Sequence, residues 1–310
     1  MKVRAPLTGL IAAPHTPLKA EGSLNLDAVE PLAAHLLCNG ITGVFVAGTT
    51  GEGHLLTVDE RMNLARRWKA VLQGTTMKLI VHVGHNCLED ARTLAAAAES
   101  AGADAIGALA PSYFRPATVP DLVDCCAAIA AAAPSTPFYY YDIPTWTGVT
   151  LPADDFLAQA AERIPTLAGI KYTNPDMARF QRCLRHAGGR FNILHGTDEA
   201  LLAGLALGAR GAVGSTYNFA APIYHRLMQA FAGGDLETAR AEQERSVRLV
   251  QTIARYGYMA AAKAVMGMVG VECGPVRLPL RALDPAQAKT LREDLERVGF
   301  FDWIQLVRPE

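Results

Sequence analysis

No charge of either sign predominates in this sequence, where 29 Lys and Arg stand against 30 Asp and Glu for a formal net charge of -1. Nucleic acid and anionic membrane surfaces select for clustered Lys and Arg. Neither is therefore an expected partner, which leaves a small molecule. Paired cysteine spacing is also lacking: Cys38, Cys87, Cys125, Cys126, Cys183 and Cys273 form no CxxC, and adjacent Cys125 and Cys126 would bridge awkwardly. Reduced thiols in a cytoplasm are the expectation. Long apolar runs are missing too. The uncharged stretch between Asp124 and Asp142 is broken by Pro134 and Pro137 and is too short to span a bilayer. Lys2 and Arg4 precede only a brief apolar run, 7–13, that Pro14 ends, which makes a poor secretion signal. There is no low-complexity segment and no spaced linker.

What is present is an apolar half of a 310-residue chain, enough for one large core. Short runs rich in Val, Ile and aromatic residues lie at 7–13, 43–47, 78–83, 105–110, 138–141, 168–171, 191–194 and 211–214. Helical periodicity fills the gaps at 26–38, 58–72, 88–100, 119–132, 153–161, 177–186 and 199–207. Eight strands alternating with helices predict an α/β fold, a (β/α)₈ TIM barrel over residues 1–218. Only helical stretches follow, at 223–232, 236–256, 259–269 and 285–298, read as a C-terminal extension (219–310) packed on the barrel. An open doubly wound sheet is the alternative.

In a barrel, reacting groups come from strand C-termini and the loops after them. Those positions are polar here: Gly48-Thr49-Thr50-Gly51-Glu52-Gly53, Tyr141, Lys171-Tyr172-Thr173, Gly196-Thr197-Asp198-Glu199 and Gly214-Ser215-Thr216. Lys171 follows Leu167-Ala168-Gly169-Ile170, and an apolar wall favours the neutral amine that can attack a ketone. A strand-end lysine paired with a carboxylate is the competing explanation. Lys263 is the one other lysine with apolar flanks, but it falls mid-helix outside the barrel. Tyr141 ends Phe138-Tyr139-Tyr140-Tyr141, where a phenol can carry a proton or simply belong to the core. The Gly48-Thr49-Thr50-Gly51 turn offers N–H groups and hydroxyls to a carboxylate, or is only a tight turn. It matches neither GxGxxG nor GxxxxGK[ST], so no nucleotide phosphate is expected there. Asp198-Glu199 could hold polyol hydroxyls, bind a divalent metal as in a class II aldolase, or cap a helix. His82, His85 and Cys87 have ligand-like types, yet a buried structural histidine suffices, and no metal is assigned.

Together these motifs resemble the dihydrodipicolinate synthase/N-acetylneuraminate lyase superfamily over nearly the whole chain: a GTTGE loop at Gly48 to Glu52, a strand end Tyr141-Asp142-Ile143-Pro144, and Gly169-Ile170-Lys171. Phe138-Tyr139-Tyr140-Tyr141, Gly169-Ile170-Lys171-Tyr172-Thr173-Asn174, Gly196-Thr197-Asp198-Glu199 and Gly214-Ser215-Thr216-Tyr217-Asn218 are similar to the N-acetylneuraminate lyase branch, its animal-type members above all. The resemblance implies Lys171 as the Schiff-base lysine and Tyr141 as the proton carrier. It places Thr49 and Thr50 on the pyruvate carboxylate, and Thr173, Gly196, Asp198, Glu199 and Ser215 on the sugar-derived chain. Tyr113 matches a tyrosine that reaches a neighbouring subunit's site in synthase relatives, as a relay, within an assembly that is commonly a tetramer. No cofactor beyond the covalent imine is implied.

Two departures bear on specificity. Trp146 replaces the Arg with which synthase members bind the carboxylate of aspartate semialdehyde, and Asp142 replaces a His usual in animal-type lyases, so a negative charge is expected near the reacting groups. The first reading is reversible cleavage of N-acetylneuraminate to N-acetylmannosamine and pyruvate. Another 2-keto-3-deoxy-sugar-acid aldolase or dehydratase is the alternative, with dihydrodipicolinate synthesis behind it. Two further readings differ in class: a metal-dependent aldolase using Asp198 and Glu199, and a silent barrel that only senses a sugar acid.

Overall fold

A computed structural model describes residues 6–305, so Lys2 and Arg4 lie outside the described residues. Each short branched or aromatic run becomes a parallel strand: β1 (Gly9–Ala12), β2 (Gly43–Val46), β3 (Lys78–His82), β4 (Ala105–Leu109), β5 (Phe138–Asp142), β6 (Leu167–Tyr172), β7 (Asn192–His195) and β8 (Gly211–Gly214). Neighbours pair in sequence order, and β1 pairs with β8 from Gly9 opposite Gly211 to Ala12 opposite Gly214. That last ladder closes the barrel and excludes the open doubly wound sheet.

Alternation along each strand divides the apolar residues into two cores. Phe45, Ile80, Leu109, Tyr139, Tyr141, Leu194 and Val213 fill the barrel. Val44, Val46, Ile106, Tyr140, Ile170, Tyr172 and Ile193 face outward, beneath the helices. Gly107 has an internal role: a Cβ there would come within 2.8 Å of the Phe45 ring, so its bare Cα makes room for that aromatic.

The outer ring comprises α1 (Val29–Cys38), α2 (Val58–Val71), α3 (Leu88–Ser100), α4 (Val119–Ala131), α6 (Ala153–Arg163), α7 (Met177–Arg185), α8 (Leu201–Leu207) and α9 (Tyr217–Ala232). Capping boxes start two of them, Thr57 with Glu60 at α2 and Thr118 with Asp121 at α4, satisfying N–H groups that the first turn leaves unpaired. Position 218 lies inside α9, which is the barrel's own eighth helix. The sequence pattern shows this helix only from 223 because Pro222 interrupts it, and Ala220 is kinked away from helical angles just before. A 3₁₀ turn (Asp198–Ala200) precedes α8, where the pattern predicts one continuous helix. Two four-residue helices, α5 (Pro144–Thr147) and α13 (Phe300–Trp303), are too short for a periodic signal. Of the remaining helices, α10 (Leu236–Ala254) and α11 (Tyr258–Met268) pack on α9, and α12 (Pro285–Val298) packs on those two. Among the described residues no helix is long and apolar enough to cross a membrane.

Candidate active site

The register of two adjacent strands sets the site. Tyr141 on β5 lies directly opposite Lys171 on β6, and both point into the barrel. Lys171 is 4 % exposed, with its Nζ 3.8 Å from the centre of the Tyr141 ring and 4.4 Å from that of Phe45. Salt bridges among the described residues pass Lys171 by, and the paired-lysine explanation belongs instead to Lys263. The Tyr141 hydroxyl is 3.3 Å from Thr49 Oγ1, joining β5 to the loop after β2.

That loop is held under strain. Ala47 (φ 56°) and Glu52 (φ 54°) are both left-handed without being glycine, and they bracket Thr49 and the buried Thr50. What over-determines the bend is a buried ion pair. Glu52 Oε1 accepts from Lys263 Nζ at 2.9 Å, and Glu52 Oε2 accepts from the Arg277 N–H at 2.9 Å. Lys263 also donates to the Pro275 carbonyl at 2.7 Å. Helix α11, outside the barrel, thereby clamps the threonine loop. Strand-end logic includes Glu52 in the polar loop without giving it a role, and it passes over Lys263, which only its apolar flanks mark in the sequence.

His82 closes the floor beside Tyr141, their ring centroids 6.0 Å apart and nearly perpendicular. Its Nδ1 lies 3.1 Å from the Ala47 carbonyl, and the buried Arg61 donates to the His82 and Gly84 carbonyls at 2.7 and 3.0 Å. Burial, then the Arg61 charge, holds this imidazole well below its ordinary pKa, so it sits neutral in the wall. His85 instead receives the Cys87 N–H, and Cys87 is exposed. Among the described residues, no three His, Cys, Asp or Glu side chains are grouped so as to hold a metal ion.

The other half of the mouth comes from β6, β7 and β8. Thr173 meets Gly196, where any Cβ would overlap the threonine hydroxyl. Asp198 is buried; its Oδ2 accepts from the Thr216 N–H at 2.8 Å, the Thr216 hydroxyl at 2.6 Å and, more weakly, the Ser215 hydroxyl at 3.4 Å. Burial raises the Asp198 carboxyl, while those donors and the charge of Lys171 pull it back. Gln243 and Ser246 of α10 both reach its backbone carbonyl at 3.2 Å. Glu199 sits beside it on the open side, raised by its surroundings and by the Asp198 charge. Ser215 Oγ lies 2.6 Å from the hydroxyl of Tyr258, a residue the sequence pattern did not mark because it starts a helix beyond the barrel.

One expectation changes. Asp142 puts no carboxylate among the reacting groups, since it follows Tyr141 and therefore faces outward. It is 1 % exposed, accepts from Asn174 Nδ2 at 3.0 Å, and adds its charge to the burial that raises the Tyr172 phenol. Burial pushes its carboxyl up to about 6 against the Asn174 bond and the Arg179 charge. Tyr113 is 79 % exposed at the tip after β4, stacked edgewise on Phe114, and among the described residues no hydrogen bond links it to the site. Trp146 on α5 is exposed just above β5.

Comparison with known proteins covers the same span. The profile of the dihydrodipicolinate synthetase family matches residues 6–298. The N-acetylneuraminate lyase of Danio rerio is 39 % identical over 293 residues, 93 % of this chain and 95 % of that one. Among solved structures, N-acetylneuraminate lyase of Proteus mirabilis superposes with a TM-score of 0.93 at 41 % identity, over 96 % of this chain and all of the other. The enzyme of the same name (sialic acid aldolase) from Aliivibrio salmonicida gives 0.93 at 40 %, covering 96 % and 98 %. Barrel, clamped loop and trailing helices all fall within these alignments, and the chain belongs to the dihydrodipicolinate synthetase family.

Proposed function

We propose that this chain is a class I aldolase that reversibly cleaves N-acetylneuraminate to N-acetylmannosamine and pyruvate. The observation that carries the reading is the placement of the Lys171 amine against Tyr141, whose hydroxyl touches Thr49. In the cleavage direction the neutral amine adds to the C2 ketone, and loss of water gives an iminium. Tyr141 accepts the C4 hydroxyl proton as the C3–C4 bond breaks, the electron pair flows into the iminium as an enamine, and the aldehyde leaves. Protonation at C3 and hydrolysis then release pyruvate and regenerate the amine. The iminium is the electron sink, so no metal or other cofactor enters the reading. Thr49 and Thr50 hold the carboxylate; Thr173, Gly196, Asp198, Glu199 and Ser215 line the polyol side.

A second reading keeps the imine and changes the aldehyde, and Trp146 at the rim favours it: a large exposed aromatic there suits another 2-keto-3-deoxy sugar acid. The protein acts in the cytoplasm as a homotetramer, in which the exposed Tyr113–Phe114 pair meets a neighbouring copy and Tyr113 serves that copy's relay. The test is incubation with pyruvate and borohydride followed by mass spectrometry, with pyruvate release then assayed on a panel of keto-deoxy acids. An adduct confined to Lys171 is expected, and its absence from active protein sinks the imine. Turnover of another acid with none of N-acetylneuraminate overturns the first choice of substrate.

A further inference from the structure

We propose that Tyr258 determines the length of substrate the site prefers, by fixing the Ser215 hydroxyl at the far end of the polyol pocket. The inference rests on the aldolase reading above and concerns a residue that the motifs leave out.

Tyr258 is the first residue of α11, set just after Gly257 at φ 77°. Its phenol enters the mouth from outside the barrel and meets Ser215 Oγ at 2.6 Å, the shorter of the two contacts the Ser215 hydroxyl makes. A carboxylate oxygen can only accept, so Ser215 turns its one proton toward Asp198 Oδ2, and Tyr258 donates into the bond with Ser215. The acceptor of the Ser215 proton, Asp198 Oδ2, is 3.4 Å away and already takes two shorter bonds from Thr216. A bond that long is weak, so the Ser215 proton passes readily to a better-placed substrate oxygen.

Position along the pocket follows from the strand register. Lys171 pairs with Leu194 and His195 with Ala212, so Asp198, four residues past Leu194, and Ser215, three past Ala212, stand nearer the mouth than the Lys171 strand position. Tyr258 reaches Ser215 from α11, outside the strands. The order away from the covalent bond is therefore Lys171, then Asp198 and Ser215, then Tyr258. A keto acid anchored at C2 brings only its distal hydroxyls to the Ser215–Tyr258 pair. Short keto-deoxy acids end before it.

The experiment measures kcat and KM for 2-keto-3-deoxy acids of six to nine carbons, in the parent and in Tyr258→Phe. Phenylalanine keeps the ring and removes the hydroxyl. The expected result is a fall of about tenfold in kcat/KM for the longest acid turned over relative to the shortest, carried by KM, as befits one hydrogen bond to a correctly aimed donor. Ser215→Ala shows the same relative fall, and the double variant adds little to it. Tyr256→Phe, two residues away and bonded to Asp294 at 2.7 Å, serves as the control and keeps the parental ratio. An equal change on long and short acids, or additive losses in the double variant, overturns the proposal. Borohydride trapping of pyruvate on the parent keeps the two levels apart: no trapping counts against the aldolase reading, whereas trapping with an unmoved length ratio counts against Tyr258.

Discussion

Replacing Asp142 by Asn should make the protein more stable at neutral pH and leave it nearly unchanged in acid. The carboxyl is 1 % exposed, and burial raises it from 3.8 to about 6. Its Oδ2 has one partner, Asn174 Nδ2 at 3.0 Å, and its Oδ1 is buried with none among the described residues. The sign follows from proton linkage. Below pH 4 the folded and unfolded chains both carry the proton and Asp142 contributes nothing. Between about 4 and 6 the unfolded chain loses its proton while the folded one keeps it, so rising pH destabilises the fold. Above 6 the penalty stays constant. A displacement of about two pH units, at about 1.36 kcal/mol each, caps it near 3 kcal/mol. Asparagine carries no such penalty and its side-chain oxygen still accepts from Asn174, so a gain of about 1–3 kcal/mol at pH 7.5 is expected. For a chain of 310 residues, melting entropies of about 2.1 cal/mol/K per residue turn 2 kcal/mol into roughly 3 °C. The assay is urea denaturation with thermal melting of both proteins from pH 4 to pH 8. A stability difference that does not change across that range refutes the reasoning.

Lys263→Met should cost about 3–5 kcal/mol, because Glu52 is then left charged and buried without its partner. Adding Glu52→Gln, whose amide oxygen still accepts the Arg277 N–H, should recover part of that loss in urea denaturation; a double variant no better than the single one counts against the clamp. Tyr141→Phe should lower kcat by about 10²–10⁴ while borohydride still traps pyruvate on Lys171. A loss below tenfold in steady-state assays removes Tyr141 from proton transfer.

The eight strands are legible as short apolar runs, and most of the ring helices because each is long enough to show a period. Where the sequence falls silent, the reasons are physical. Residues 138–142 are buried on both faces, as parallel strands are, so nothing in Phe-Tyr-Tyr-Tyr-Asp says which side chains face inward. The expected charge beside the reacting groups failed on that parity: Tyr141 points into the barrel and Asp142 therefore does not. Lys171 was legible as a candidate, but its contact with Tyr141 depends on the β5–β6 register, which neither strand carries alone. The Thr49–Tyr141 contact spans 92 positions and the Glu52–Lys263 pair 211, beyond any local pattern. Tyr258 shows the same limit, since a helix outside the barrel gives no strand end to inspect.

The ion pair between Glu52 and Lys263 has a consequence for synthesis. The loop that presents Thr49 and Thr50 leaves the ribosome early, yet its bend is fixed by a lysine made 211 residues later. A nascent chain with all eight strands emerged still lacks that lysine, and it lacks Tyr258 on the same helix. The residues that fix the catalytic mouth from outside are thus synthesised after the barrel strands that carry it.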